Sequence, residues 1–190
     1  MEWQNGIEDT GIRPGFIKIG VDKGKLSNIN SKLVHAAARC HLKTGLIIAG
    51  HTGDGIAALD QVKILLKEGV SPRAWIWVHA QNERNLNVHV DVARSGAWVE
   101  FDGIGPKSID RHVELVQSMK KAGMLDQVLL SHDAGWYSVG ELGGGAVRNF
   151  EVLFSNFLPA LKKSGLSEAE IHQLMVTNPA NAFRIGVRAR

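Results

Sequence analysis

Four side chains able to bind a metal or move a proton recur at equivalent points of the chain: Lys18, His51, His79 and Asp133. Lys18 lies inside the short apolar run Phe16-Ile17-Lys18-Ile19, and the other three follow runs of the same kind: Ile47-Ile48-Ala49-Gly50-His51, Trp75-Ile76-Trp77-Val78-His79 and Val128-Leu129-Leu130-Ser131-His132-Asp133. Two imidazoles and a carboxylate are ordinary zinc ligands, and a bound zinc acidifies its water enough to make hydroxide available near neutral pH. Hydrolysis is the reaction such a set points to. A lysine held in an apolar strand is a candidate for covalent modification or base chemistry, although pairing with a carboxylate or reaching out to solvent is the plainer alternative. His51 and His79 could each be hydrogen-bonded structural histidines, and Asp133 could cap a following helix. Coincidence would have to strike the same point of four separate units for all the plainer readings to hold.

The elements that must position these residues are legible as a repeat. Apolar, β-rich runs span 15–21, 45–50, 74–78, 97–101 and 127–131, so their starts lie 30, 29, 23 and 30 residues apart. That is the length of a βαβ unit, and near-continuous hydrophobicity is what strands covered on both faces require. Helical patterns occupy 30–43, 55–68, 85–94 and 109–122, each ending near a glycine: Gly45, Gly69, Gly96 and Gly123. Glycine most easily takes the left-handed conformation that closes a helix. Two more helical patterns, 147–163 and 167–176, follow a glycine-rich loop at 140–145; Ser167 and Glu170 form a capping-box pair. The fold class expected is α/β, as part of a (βα)₈ barrel, which takes about 250 residues when complete. Five units do not close one, and only fourteen residues precede the first run. The expectation is one domain over 1–190, carrying strands four to eight, with three N-terminal units absent. In such barrels the active site lies at the C-terminal ends of the strands, where the four residues converge. A five-stranded portion also exposes two edge strands and apolar surface, which invite a homo-oligomer or a complementing N-terminal half.

The remaining polar groups carry less. His35, His41, His89 and His172 fall on helical patterns and read as solvated faces or helix-end partners. His112, opening a helix, could reach the site from a loop, whereas His132 should point away from Asp133 by strand alternation. Gly50-His51-Thr52-Gly53-Asp54-Gly55 lacks the Gly-Lys-Ser/Thr of a phosphate-binding loop and reads as a tight turn. Trp75 and Trp77 are expected between sheet and helices, whereas Trp136 and Tyr137 could line a substrate pocket or simply pack on the surface.

Composition narrows the class. The chain has 190 residues, 44% hydrophobic and 22% charged, with a formal charge of 22 − 19 = +3. Basic residues are interspersed with acidic ones except at the end, where Arg184, Arg188 and Arg190 cluster. No basic stripe with interleaved aromatics argues for nucleic acid. No apolar run approaches the roughly 18 residues of a membrane span, and the polar, acidic start is unlike a signal peptide. With a single cysteine, Cys40, the expectation is a cytoplasmic protein.

Phe16-Ile17-Lys18, Ala49-Gly50-His51-Thr52, Val78-His79-Ala80, Phe101-Asp102, Leu130-Ser131-His132-Asp133-Ala134 and the late Val176-Thr177-Asn178-Pro179-Ala180 together resemble the second half of the phosphotriesterase family of the amidohydrolase superfamily. The resemblance runs from about Gly6 to the end. It implies a barrel with two divalent metals, usually zinc, and hydrolysis of small-molecule esters, lactones or organophosphate triesters by a metal-bound hydroxide. It further implies that Lys18 is carboxylated and bridges the metals, that His51 and His79 bind the more exposed metal, and that Asp133 binds the buried one and accepts a proton from the bridging hydroxide. Loops 103–109 and 134–145 would select the substrate, and Lys107 and Arg111 could meet an anionic one unless they are solvated loop charges. The family's first-strand His-x-His pair has no counterpart here. Two alternatives therefore stand beside the hydrolase: a non-catalytic barrel remnant holding one metal or none, and a sugar-phosphate-binding module on a barrel scaffold.

Overall fold

The computed structural model describes residues 2–146 and 150–190. A short N-terminal helix, α1 (Glu2–Asn5), precedes five strand–helix units: β1 (Ile17–Val21), α2 (Asn28–Thr44), β2 (Ile48–Thr52), α3 (Gly55–Lys67), β3 (Trp75–Val78), α4 (Leu86–Arg94), β4 (Trp98–Phe101), α5 (Ile109–Lys121) and β5 (Val128–Leu130). The C-terminal helices α6 (Leu158–Lys163), α7 (Glu168–His172) and α8 (Asn178–Phe183) follow. All strand pairs are parallel and the order is β1-β2-β3-β4-β5. A parallel sheet whose neighbours in space are neighbours in sequence is the winding of a (βα) barrel, here five strands of it. Among the described residues β1 and β5 therefore each pair on one side only, and Phe16 beside β1 is exposed, as are Ile29 and Leu33 of α2.

Side-chain alternation splits the sheet into two faces. Ile48, Trp75, Trp77, Val99, Phe101 and Val128 point outward and form the main core with Ala38, Ala58, Leu65, Val92 and Leu115 of the helices. Trp75 and Trp77 are fully buried there, as expected, and burying a large apolar side chain contributes roughly 2–3 kcal/mol. Gly50 of β2 is required by close approach, because a Cβ there would meet Trp75 Nε1 at 2.5 Å. Opposite them, Ile47, Ala49, Ile76, Val78, Trp98 and Leu129 form the concave inner face.

The helix-closing glycines behave as the sequence implies: Gly45, Gly69, Gly96 and Gly123 all have positive φ. The capping box of Ser167 and Glu170 is formed. Two boundaries differ. β2 starts at Ile48 because Gly45 belongs to the end of α2, and it runs on through His51, which therefore lies inside the strand instead of after it. The pattern read as 167–176 continues to Phe183, because a π-type turn at Gln173–Thr177 leads into α8 with Pro179 at its start, where no amide donor is needed. Residues 147–149 of the other C-terminal pattern lie outside the described residues; its described part has a π-type turn at Leu153–Phe157 before α6.

This last segment closes the N-terminal end of the sheet. Ala182 of α8 packs into the inner-face cluster, and Asn178, buried, donates through Nδ2 to the carbonyls of Leu125 (2.9 Å) and Val128 (2.8 Å). Beyond α8 the tail is pinned: Gly186 N to Gly45 O (3.0 Å), Ser71 N to Arg188 O (2.9 Å) and Arg190 N to Gly69 O (2.9 Å). His41, in the last turn of α2, is a buried helix-end partner, the second of its two readings. Its Nε2 accepts from Arg188 N (2.9 Å), so Nδ1 carries the proton and donates to Leu46 O (2.8 Å), and burial holds the ring below the ordinary histidine range. His89 is likewise buried, against Trp77 and Phe101, facing Ala80 O at 2.7 Å. The burial of both rings has one cause: an imidazole with hydrogen-bond partners is as easily packed as an apolar ring. No helix of the described residues is long and apolar enough to cross a membrane.

Candidate metal-binding site

Lys18, His51, His79 and Asp133 all line one cavity of about 740 Å³ on the inner face, opening at the C-terminal ends of the strands. Strand register sets their depth. Lys18 pairs with Ala49, two residues before His51, so its backbone sits one inward-facing layer deeper than that histidine. Lys18 stands exposed on this open face.

The histidines are joined in a chain of contacts. His79 Nδ1 lies 2.7 Å from Asp102 Oδ1, and its Nε2 lies 2.9 Å from Nδ1 of His51. Since a carboxylate only accepts, His79 carries a proton on Nδ1, and its Nε2 is directed at His51 Nδ1 on the cavity wall. The backbone reinforces this aim. His79 has φ 68°, a left-handed conformation uncommon outside glycine, and there its amide N donates to Asp102 Oδ2 at 2.7 Å. Asp133 is the second non-glycine residue at the site with positive φ (45°). Strain of this kind persists where surrounding structure over-determines it, and functional sites are where it gathers.

Asp102 was not singled out from its residue type, yet it organises the site. It is buried; Oδ1 also accepts from Gln81 Nε2 (2.6 Å), and its own amide donates to Gln81 Oε1 (3.1 Å). His112 does not reach the cavity. It is buried behind Asp102, between Asp102 O (2.7 Å) and Ser108 O (2.8 Å), and so braces the carboxylate's backbone. A signal for Asp102 existed: it follows β4 as His79 follows β3. Glu100 is a second residue to which the sequence assigns no role, an inward-facing position of a near-continuously apolar strand. Burial, then the neighbouring Asp102 charge, raise its carboxyl to about 7. The period-two pattern Trp98, Glu100, Asp102 marks all three as facing inward.

One ligand atom each from His79, Asp102 and Asp133 lies within 4.8 Å of the others. Both Asp102 oxygens already accept strong hydrogen bonds, so Asp102 suits orienting His79, and His79 and Asp133 suit an ion. His51 fits as well: partial burial, then the charges of His79 and Lys18, hold its ring below the ordinary histidine range, which keeps it neutral. Neutral imidazoles backed by a carboxylate, with a further carboxylate opposite, form a donor set suited to a divalent cation such as zinc.

Trp136 also lines the cavity, whereas Tyr137, Lys107 and Arg111 do not. Tyr137 packs its ring over Gly144, and Arg111 pairs with Glu114 at 2.7 Å. His132 accepts from Leu153 N at 3.1 Å and sits among Phe150 and Phe154, away from the cavity. Among the described residues no helix begins at Asp133; Trp136 Nε1 donates to its carbonyl at 3.2 Å. The turn after β2 is structural: Asp54 caps α3 through Ala57 N (2.9 Å) and ties in Gly24 N (2.6 Å).

Comparison with known proteins gives a consistent result. The sequence matches the phosphotriesterase family over residues 1–183. It is 30% identical to the phosphotriesterase homology protein of Escherichia coli over 187 residues, 96% of this chain and 63% of that protein. It is 28% identical to a phospho-furanose lactonase of Mycoplasmopsis synoviae, covering 91% of this chain and 51% of that protein. The phosphotriesterase of Mycobacterium tuberculosis superposes with a TM-score of 0.87 at 27% identity, over 98% of this chain and 60% of that one.

Proposed function

This chain belongs to the phosphotriesterase family, and we propose that its inner face is the larger part of a metal-dependent site hydrolysing small esters, with lactones and phosphotriesters as the substrate classes. The chain spans 63% of the E. coli relative's length, close to five of eight barrel units, so the complete site needs three further units. The observation that carries the reading is the Asp102–His79–His51 chain, which supplies neutral, oriented nitrogen donors opposite Asp133.

His51, His79 and Asp133 would hold the cation, with Lys18, carboxylated, as a further ligand. A divalent cation, zinc by preference, would polarise the carbonyl or phosphoryl oxygen of an ester and acidify water. Asp102 keeps the His79 ring oriented, with Nδ1 protonated, throughout. Asp133, at the mouth, takes the proton released as water attacks. Trp136 supplies an apolar wall for the leaving group, and Glu100, its carboxyl raised to about 7, sits beside Asp102 without a second full negative charge below that pH.

Elemental analysis of the purified chain in zinc- and bicarbonate-containing buffer tests the metal directly. One or two zinc ions per chain, lost in His79→Ala, are expected. Ester or lactone turnover is expected when the chain is co-expressed with the three N-terminal units of a family relative. A second reading, a non-catalytic half-barrel, is favoured by the one-sided pairing of β1 and β5. It predicts no turnover in the complemented barrel.

A further inference from the structure

On the opposite end of the sheet lies a second cavity, of about 400 Å³, that the metal site does not use. Its floor is built from the N-terminal ends of the strands: Arg73 just before β3, Trp98 opening β4 and Gln127 just before β5. Its wall is α8 and the tail, with Asn178, Arg184 and Arg188.

Three arginines thus line one small cavity with a single acidic residue, Asp126. Among the described residues none of the three forms an ion pair, whereas Arg39 pairs with Glu68 and Lys120 with Glu170. Arg188 is held in place by its Nη2, which donates to the carbonyls of Asn181 (2.9 Å), Ala182 (3.1 Å) and Arg184 (2.9 Å) at the end of α8. Its Nη1 is buried and has no partner. Gln127 Oε1, at the same cavity, is likewise buried without one. Unpartnered buried donors cost about 1–3 kcal/mol each, more when charged, and the repulsion of Arg184 adds to the burial that already disfavours the Arg188 cation. A cavity lined by three arginines and one acidic residue is complementary in charge to an anion carrying several acceptor oxygens.

We propose that this cavity is a binding site for a phosphate dianion, free or as a small monoester, held by Arg73, Arg184 and Arg188 on the face opposite the metal site. Phosphate matches the forked donors of arginine, and its volume leaves room for a small attached group. The ligand also ties the tail to strands β3 to β5, which places it where it stabilises the closure of the N-terminal end.

Calorimetric titration of the metal-free chain, in chelator at fixed ionic strength, tests this with inorganic phosphate in one arm and glycerol phosphate in the other. One site per chain is expected. Arg184→Gln and Arg73→Gln should each weaken binding about ten-fold or more, as the loss of a charged hydrogen bond does. Both leave the α8 contacts of Arg188 in place, and a thermal melt reports that they fold. Asp126→Asn, which removes the one opposing charge, should tighten binding. His79→Ala should leave it unchanged. Tighter binding in the glycerol phosphate arm identifies a monoester, and equal or weaker binding identifies free phosphate. Absence of binding, equal affinity in the folded arginine variants, or loss of binding in His79→Ala overturns the proposal.

Discussion

The two ends of the sheet are built from the same five strands and solve opposite problems. At the C-terminal end, backbone is held in unfavourable conformations at His79 and Asp133, and ionisable groups stand within hydrogen-bond reach of one another around an open cavity. At the N-terminal end, Ala182 and Trp98 pack apolar surface, Asn178 satisfies two carbonyls, and the tail is pinned by backbone hydrogen bonds. Chemistry needs ionisable groups poised within reach of one another, whereas closure needs packed apolar surface and matched backbone carbonyls; at the closed end Arg188 Nη1 and Gln127 Oε1 are the polar atoms left unmatched. The contrast predicts that stability and metal binding respond to different substitutions.

The largest effect is expected at the closed end. Trp98→Ala removes a large buried side chain at the foot of the inner face and should lower unfolding free energy by about 3–5 kcal/mol in urea, with zinc content retained by the folded fraction. Zinc lost at full stability would erase the contrast.

Glu100 tests the open end in the metal-free chain. Its carboxyl rises from 4.5 to about 7 on folding, so the native state binds the extra proton. The stability linked to it is present in full below pH 4.5 and is lost as pH rises through 7. Glu100→Gln, neutral at every pH, should therefore equal the parent near pH 4 and exceed it by up to about 3 kcal/mol at pH 8. A gain that does not grow with pH would show that burial does not oppose ionisation there.

Asn178→Ala leaves the carbonyls of Leu125 and Val128 without their donor, and should cost about 2–3 kcal/mol in the same urea titration. The subtlest change is Asp102→Asn, which keeps the shape of the side chain but loses the charge that orients His79. Zinc affinity, read by competition with a chelator, should fall about 10- to 100-fold. An unchanged affinity would mean that Asp102 is a structural residue only.

Periodicity and local chemistry carry most of what is visible in the chain without its fold. Hydrophobic runs at a near-constant spacing dictate parallel strand–helix units, glycines at 45, 69, 96 and 123 close the helices, and Ser167 with Glu170 starts another. The same repeat places His51, His79 and Asp133 at one end of the sheet, because strand direction is common to all units. Tertiary structure alone decides which groups meet across those units. His79 and Asp102 are 23 residues apart, and His41 and Arg188 are 147 apart; no local pattern encodes either contact. Residue type misleads here for a physical reason. A histidine is equally at home in water, against a carbonyl in a core, or beside a carboxylate, and only the partners supplied by distant chain segments select among these states. Direction and repeat are properties of neighbouring residues, whereas partnership is a property of the folded chain.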